Sequence, residues 1–186
     1  MALSCLAGCA EPPRKEMDQA QGAIDAARAV GAAEYAATDL DGAVTALARA
    51  EQAVEQRDYR QALNQALDAR DRAQTAARNA ADGKAELRSQ AEGGATALAA
   101  AIDAAGLRLE ALRDRKVPPV LVAPASSAIA AAEQALQEAR TLLAAQEFRR
   151  AAEVLPAPAT QLSAVMSDLD QAVAALPPPA PARRPR

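Results

Sequence analysis

Residues 38–63 read TDLDGAVTALARAEQAVEQRDYRQAL. Leu40, Val44, Leu47, Ala50 and Val54 recur at three- and four-residue spacing, the pattern of one helix face. Thr38 stands where an N-cap is expected, with Asp39 and Asp41 in the first turn, where carboxylates complement the helix dipole. The pattern stops at Arg57-Asp58 and restarts at Tyr59, followed by Ala62, Leu63, Ala66, Leu67, Ala69 and Ala73. This is a capped helix, a tight turn, an aromatic residue and a second helix. A shift of 89 residues lays it on 127–152, SAIAAAEQALQEARTLLAAQEFRRAA. Thr38 falls on Ser127, Leu40 on Ile129, Leu47 on Leu136, Val54 on Leu143, and Asp58-Tyr59-Arg60 on Glu147-Phe148-Arg149. In a chain with so few large apolar groups, Tyr59 and Phe148 are each expected to anchor a hairpin, with Leu47 and Leu136 in matching core positions. Two readings stand: a duplicated unit, or two independent hairpins that solve the same turn in the same way.

The rest of the chain carries the same helical character outward. Lys15 to Val30 is a first helix, with Met17, Ala20, Ile24 and Ala27 on one face, and Gly31 closes it. Gly31 to Ala37 reads as a loop holding Tyr35. The pattern that begins at Tyr59 continues through Leu98, Ile102, Leu109 and Leu112 to about Lys116. Gly83, Gly93, Gly94 and Gly106 interrupt it, each costing about 1 kcal/mol relative to alanine, and Gly93-Gly94 is the expected break. Val117 to Ala125 reads as a proline-rich connector, after which Ser126 or Ser127 caps a helix to about Ala145. A helix from Glu147 should be broken or bent at Pro156 and Pro158, and a last stretch carries Leu162, Val165, Leu169 and Val173. The organisation read from this is 1–9, a truncated lipoprotein signal; 10–16, a spacer; 17–92 and 93–176, two helical units; and 177–186, a tail rich in proline and arginine.

Composition supports the same class. Nearly a third of the residues are alanine, and aromatic residues make up 2%. Helix formers dominate, while the β-branched and aromatic residues that sheets need are scarce. The fold class is therefore all-α: elongated antiparallel hairpins or a bundle, in two tandem units that share a long central helix. The seams should be thin and lined by alanine, because alanine buries little area at about 25 cal/mol per Å².

Function is constrained mainly by exclusion. Formal charge is −3, from 21 basic and 24 acidic residues, and no basic stripe for nucleic acid stands out. The one cluster of single sign is Arg183, Arg184 and Arg186. The sequence has no histidine, hence no imidazole base or metal ligand. Gly93-Gly94 lacks the Lys and Ser/Thr of a phosphate loop. No catalytic residue, cofactor, metal or small-molecule substrate is expected. The two cysteines, Cys5 and Cys9, form no disulfide framework. Leu6-Ala7-Gly8-Cys9, ahead of the polar run Glu11-Pro12-Pro13-Arg14-Lys15, looks like a bacterial lipobox: small residues admit a signal peptidase and the Cys9 thiol accepts the lipid. Only eight residues precede Cys9 and none is basic, so a complete signal would need sequence upstream of Met1.

From about Met17 to Ala85 the chain resembles a bacterial family labelled DUF4398, a domain of unknown function. The residues that carry the resemblance are Ala23-Ile24, Gly31-Ala32-Ala33-Glu34-Tyr35-Ala36, Leu40, Ala43, Leu47, Ala50, Asp58-Tyr59, Ala62-Leu63 and Ala66. The Gly-Ala-x-x-Tyr-Ala segment is the most specific of them. The resemblance implies an envelope protein, often a lipoprotein, of unassigned role. Relatives can carry a peptidoglycan-binding domain, and none is read within these residues. By the same analogy, with Ala10 after Cys9 in place of a retention-type aspartate, the expected location is the periplasmic face of the outer membrane. The expected partners are the membrane, through the lipid, and a protein or a peptidoglycan-associated complex. Asp58-Tyr59-x-x-Ala62-Leu63 also resembles the turn of a tetratricopeptide repeat, without its 34-residue period. The leading expectation is a lipid-anchored helical spacer, scaffold or adaptor. The alternatives are a cytoplasmic adaptor and an amphipathic lipid- or chaperone-like binder.

Overall fold

The computed structural model describes residues 11–115 and 117–176. These form α1 (Arg14–Ala29), α2 (Ala32–Tyr35), α3 (Ala37–Glu55), α4 (Tyr59–Asp114), α5 (Pro119–Ala144), α6 (Phe148–Val154) and α7 (Pro156–Ala174), with no strand among the described residues. The chain divides into two compact units that meet in sequence between Glu86 and Leu87, so α4 contributes residues to both. The protein is all-α, as its composition requires.

In the first unit, α1, α2 and α3 pack with the beginning of α4. Its core joins Ala20, Ile24 and Ala27 of α1 to Leu40, Ala43, Ala46 and Leu47 of α3 and to Ala69, Ala73, Ala76 and Ala80 of α4. Every buried position of α4 here is alanine: Ala62, Ala66, Ala69, Ala73, Ala76 and Ala80. Their spacing alternates four and three, the seam of a helix packed along its length against a neighbour. Alanine lets backbones approach to the short end of the ordinary 8–10 Å range. Across the seam, Asn79 Nδ2 donates to Asp39 Oδ2 at 2.7 Å, tying α4 to α3.

The second unit is an up-down-up arrangement of the end of α4, then α5, then α6 and α7. Ala95, Leu98, Ile102 and Ala105 meet Ala128, Ala132, Leu136 and Ala139, with Leu155 and Leu162 completing that cluster. Towards the α4–α5 connection, Leu109 and Leu112 pack with Val122, Ala125, Leu169 and Val173. At the opposite end, Ala91 meets Leu142 and Ala151.

The two hairpin turns match bond for bond at the 89-residue shift. Arg57 (φ 59°) and Gln146 (φ 62°) both take the left-handed conformation. Arg57 N–H donates to the Val54 carbonyl at 2.9 Å and Asp58 N–H to that of Ala53 at 2.9 Å. Gln146 N–H donates to the Leu143 carbonyl at 3.1 Å and Glu147 N–H to that of Leu142 at 2.9 Å. Each is a Schellman closure, which satisfies carbonyls that the helix end would otherwise leave open. The residue after it starts the next helix, and Asp58 Oδ1 accepts the Gln61 N–H at 2.9 Å. The two aromatics that follow are not equivalent. Phe148 is buried at 6% exposure, whereas Tyr59 is half-buried. Leu47 and Leu136 lie buried in the cores of their own units.

Several local expectations give way to packing. Thr38 is not a cap: Leu40 N–H closes on the Ala36 carbonyl at 3.1 Å, so α3 begins two residues earlier with Ala36 at the N-cap. Val44 is 38% exposed, because the buried face of α3 runs through Ala43, Ala46, Leu47, Ala50 and Ala53. The segment after Gly31 is a helical turn rather than a loop, with Glu34 and Tyr35 N–H donating to the Gly31 carbonyl. Gly31 itself (φ 94°) ends α1 as expected. Gly93-Gly94 does not break α4. A Cβ on Gly94 would lie 3.1 Å from Leu155 Cδ1, so this glycine makes room for a buried leucine, whereas Gly93 has nothing within 4 Å. The proline-rich connector is also helix. Pro119 occupies the first turn of α5, where its missing N–H costs nothing. Pro124 lies inside α5, and Ser126, in place of capping, donates to the Val122 carbonyl at 3.3 Å. The break at Pro156 occurs as expected, between α6 and α7, whereas Pro158 lies within the first turn of α7. Cys9 and the 177–186 tail lie outside the described residues.

Three thermal-melt predictions result. Gly93→Ala should stabilise by up to about 1 kcal/mol from helix propensity, and Gly94→Ala should gain less or lose, because Leu155 must shift. Arg57→Gly and Gln146→Gly should each stabilise by roughly 0.5–1 kcal/mol by relieving a left-handed backbone. Phe148→Ala should cost about 3 kcal/mol or more, with Tyr59→Ala costing distinctly less. Circular dichroism melts of the variants check all three.

Candidate functional site

A concavity of 780 Å³ lies within the second unit, along α4 and α7. Its floor is built from Ala101, Ala104 and Ala105 on one side and Ala159, Leu162 and Met166 on the other. The alanines of α4 leave a trough because their side chains stop at Cβ, while α7 supplies the larger apolar groups. The polar groups lie on the rim: Arg108, Ser163, Ser167, Asp170 and Gln171. Arg108 bridges the two helices, its Nε and Nη2 donating to Asp170 Oδ1 at 2.9 and 2.7 Å. Both side chains are about half exposed, so the pair contributes at most about 1 kcal/mol to stability and serves as a clasp across the rim. An apolar floor with polar edges suits an amphipathic helix or a similar apolar strip.

Electrostatics elsewhere is that of solvated helix faces. The hydrogen bonds that Arg72 and Arg88 donate to Asp68 and Glu92, one turn away, push the pKa of each guanidinium upward. Every buried residue among those described is apolar. Two individual atoms, Gln65 Oε1 and Arg70 Nε on α4, are shielded from water without a hydrogen-bond partner. Among the described residues, no three His, Cys, Asp or Glu side chains converge as a metal site would require. No described helix is long and apolar enough to cross a membrane.

The residues picked out by sequence are not brought into one site. Tyr59 and Leu47 belong to the first unit, Phe148 and Leu136 to the second, each in its own hairpin. The α4–α7 groove was not legible in sequence. Its one signal was the run of alanines between Leu98 and Leu109, which reads equally as a close-packed seam. No curated protein and no solved structure matches the chain. Residues 15–92, from α1 through α3 into α4, match the family model described as Domain of unknown function (DUF4398).

Proposed function

We propose that the protein is a non-enzymatic helical scaffold or adaptor of the bacterial cell envelope, tethered through a lipid on Cys9. The observation that carries this reading is the repetition of one hairpin plan, with its Schellman turn at Arg57 and again at Gln146, on two units that share α4. Repeating a helical unit multiplies helical surface around thin apolar seams, which is what a scaffold needs. The groove along α4 and α7 supports the adaptor half of the reading, as a place for a partner's amphipathic helix. The Leu6-Ala7-Gly8-Cys9 pattern ahead of a polar spacer supports the tether.

Expressed with its full native start, the protein should partition into detergent, and Cys9→Ser should move it to the aqueous phase. Mass spectrometry of the mature N-terminus should show an acylated Cys9. An unmodified Cys9 would overturn the tether. For the adaptor, a cross-linker attached at Ser167→Cys should give one defined adduct in the envelope, lost when Ala104→Glu fills the groove. Migration as the free chain in both would count against it.

A further inference from the structure

Within the second unit, α4 borders a second trough, shared with α5 and lined by other residues than the α4–α7 groove. Two depressions, of 440 and 370 Å³, both include Ile102, Asp103 and Glu133, so they are continuous. Along α4 the trough runs from Ala99 to Glu110, about 17 Å at 1.5 Å per residue. Its floor is apolar: Ile102 and Leu136 are buried, and Ala99 and Ile129 are half-buried. Leu107, at its edge, is 70% exposed. Gly106 keeps the middle open, since a Cβ there would meet nothing within 4 Å.

The charges around this floor are of one sign over most of its length. Asp103 and Glu110 of α4 and Glu133 of α5 line the trough, and all three are exposed. Among the described residues none of the three forms an ion pair. Asp68 and Glu92, by contrast, hold arginines one turn away, and Asp170 holds Arg108 across the other groove. Arg140 closes the trough beside Leu136, and Arg113 lies beyond Glu110 at a separate depression. The trough is therefore anionic in its middle and cationic at its ends. An exposed leucine beside an apolar floor marks a contact surface, and unpaired carboxylates over that floor select a cationic occupant. A second copy laid face to face would set carboxylate on carboxylate.

We propose that the α4–α5 trough binds a short amphipathic helix of a partner protein, one that carries lysine or arginine in its central turns beside an apolar strip. The strip covers Ile102, Leu107 and Ile129, and the cations meet Asp103, Glu110 and Glu133. The arginines at the two ends repel further cations there, so the charge pattern also sets the register of the bound helix. The contact depends on neither the lipid on Cys9 nor the α4–α7 groove. It weakens as salt shortens the screening length.

The test uses the full chain and a fluorescent peptide of about 14 residues, long enough to span the trough as a helix. The peptide has leucines along one face, lysines beside them in its central turns, and alanine elsewhere. Its anisotropy should rise to saturation as the chain is added. A permuted peptide of the same composition, its leucines spread round the helix, should bind about tenfold more weakly. Asp103→Asn and Glu133→Gln should each weaken binding about threefold, the worth of one partly screened charge pair. Leu107→Ser should weaken it while leaving the thermal melt unchanged, because that side chain is mostly in water. Gly106→Lys should abolish it by filling and neutralising the trough, without lowering the melt, because a Cβ has room there. Ala104→Glu, in the α4–α7 groove, should have no effect. Absence of saturable binding, equal binding of the permuted peptide, or binding that survives Gly106→Lys would overturn the proposal. A loss with Ala104→Glu as large as with Gly106→Lys would move the peptide to the other groove and end it too. Tighter binding after Arg183, Arg184 and Arg186 are replaced with Gln would make the chain's own tail the occupant. Self-association that Gly106→Lys removes would make it a second copy. Either result refutes the partner helix.

Discussion

The close approach of helices along α4 is the constraint on which the rest of the structure depends. In the first unit its buried positions are alanine without exception, from Ala62 to Ala80. In the second the same four-and-three spacing carries Ala91, Ala95, Leu98, Ile102, Ala105, Leu109 and Leu112. A seam of methyl groups contributes little transfer free energy per residue, so stability has to come from many short contacts along a long line. That requires the line to stay unbroken. It explains why four glycines in α4 are absorbed, at a cost in propensity, and do not end the helix. Gly94 is also the position where a side chain would press on Leu155.

A thin seam also explains how the hairpins close. With little core to hold the helices together, each turn has to satisfy its backbone fully within a few residues. The Schellman bonds at Arg57 and Gln146 do this, and in each the next residue is acidic and starts the following helix. Both turns accept a left-handed non-glycine residue. The alanine trough on α4 opposite Leu162 and Met166 arises from the same composition. Where no third helix face fills the space beside an alanine run, a groove remains.

The charge pattern belongs to another level of organisation. Along most of the chain acidic and basic residues alternate on solvated faces, as in the Arg72–Asp68 and Arg88–Glu92 pairs one turn apart. Such pairs contribute to solubility and helix stability, with little specificity.

The sequence by itself determined the all-helical class, the hairpin turn at Arg57-Asp58, its copy 89 residues on, the end of α1 at Gly31 and the break at Pro156. These follow from local chemistry: alanine's helix propensity, a tight turn between periodic segments, and a proline that cannot continue a helix. Tertiary structure alone decided the rest. Val44 and Ala43 are adjacent in one helical pattern, and only the closeness of the neighbouring helix selects the smaller residue for the inside. Val117 to Ala125 holds three prolines and reads as a connector, yet the burial of Val122 and Ala125 against Leu112 and Val173 draws it into helix from Pro119 onward. The groove beside Ala104 exists only because helices distant in sequence lie side by side. Local propensity acts over a few residues, and which face is covered depends on partners that a single helix does not contain.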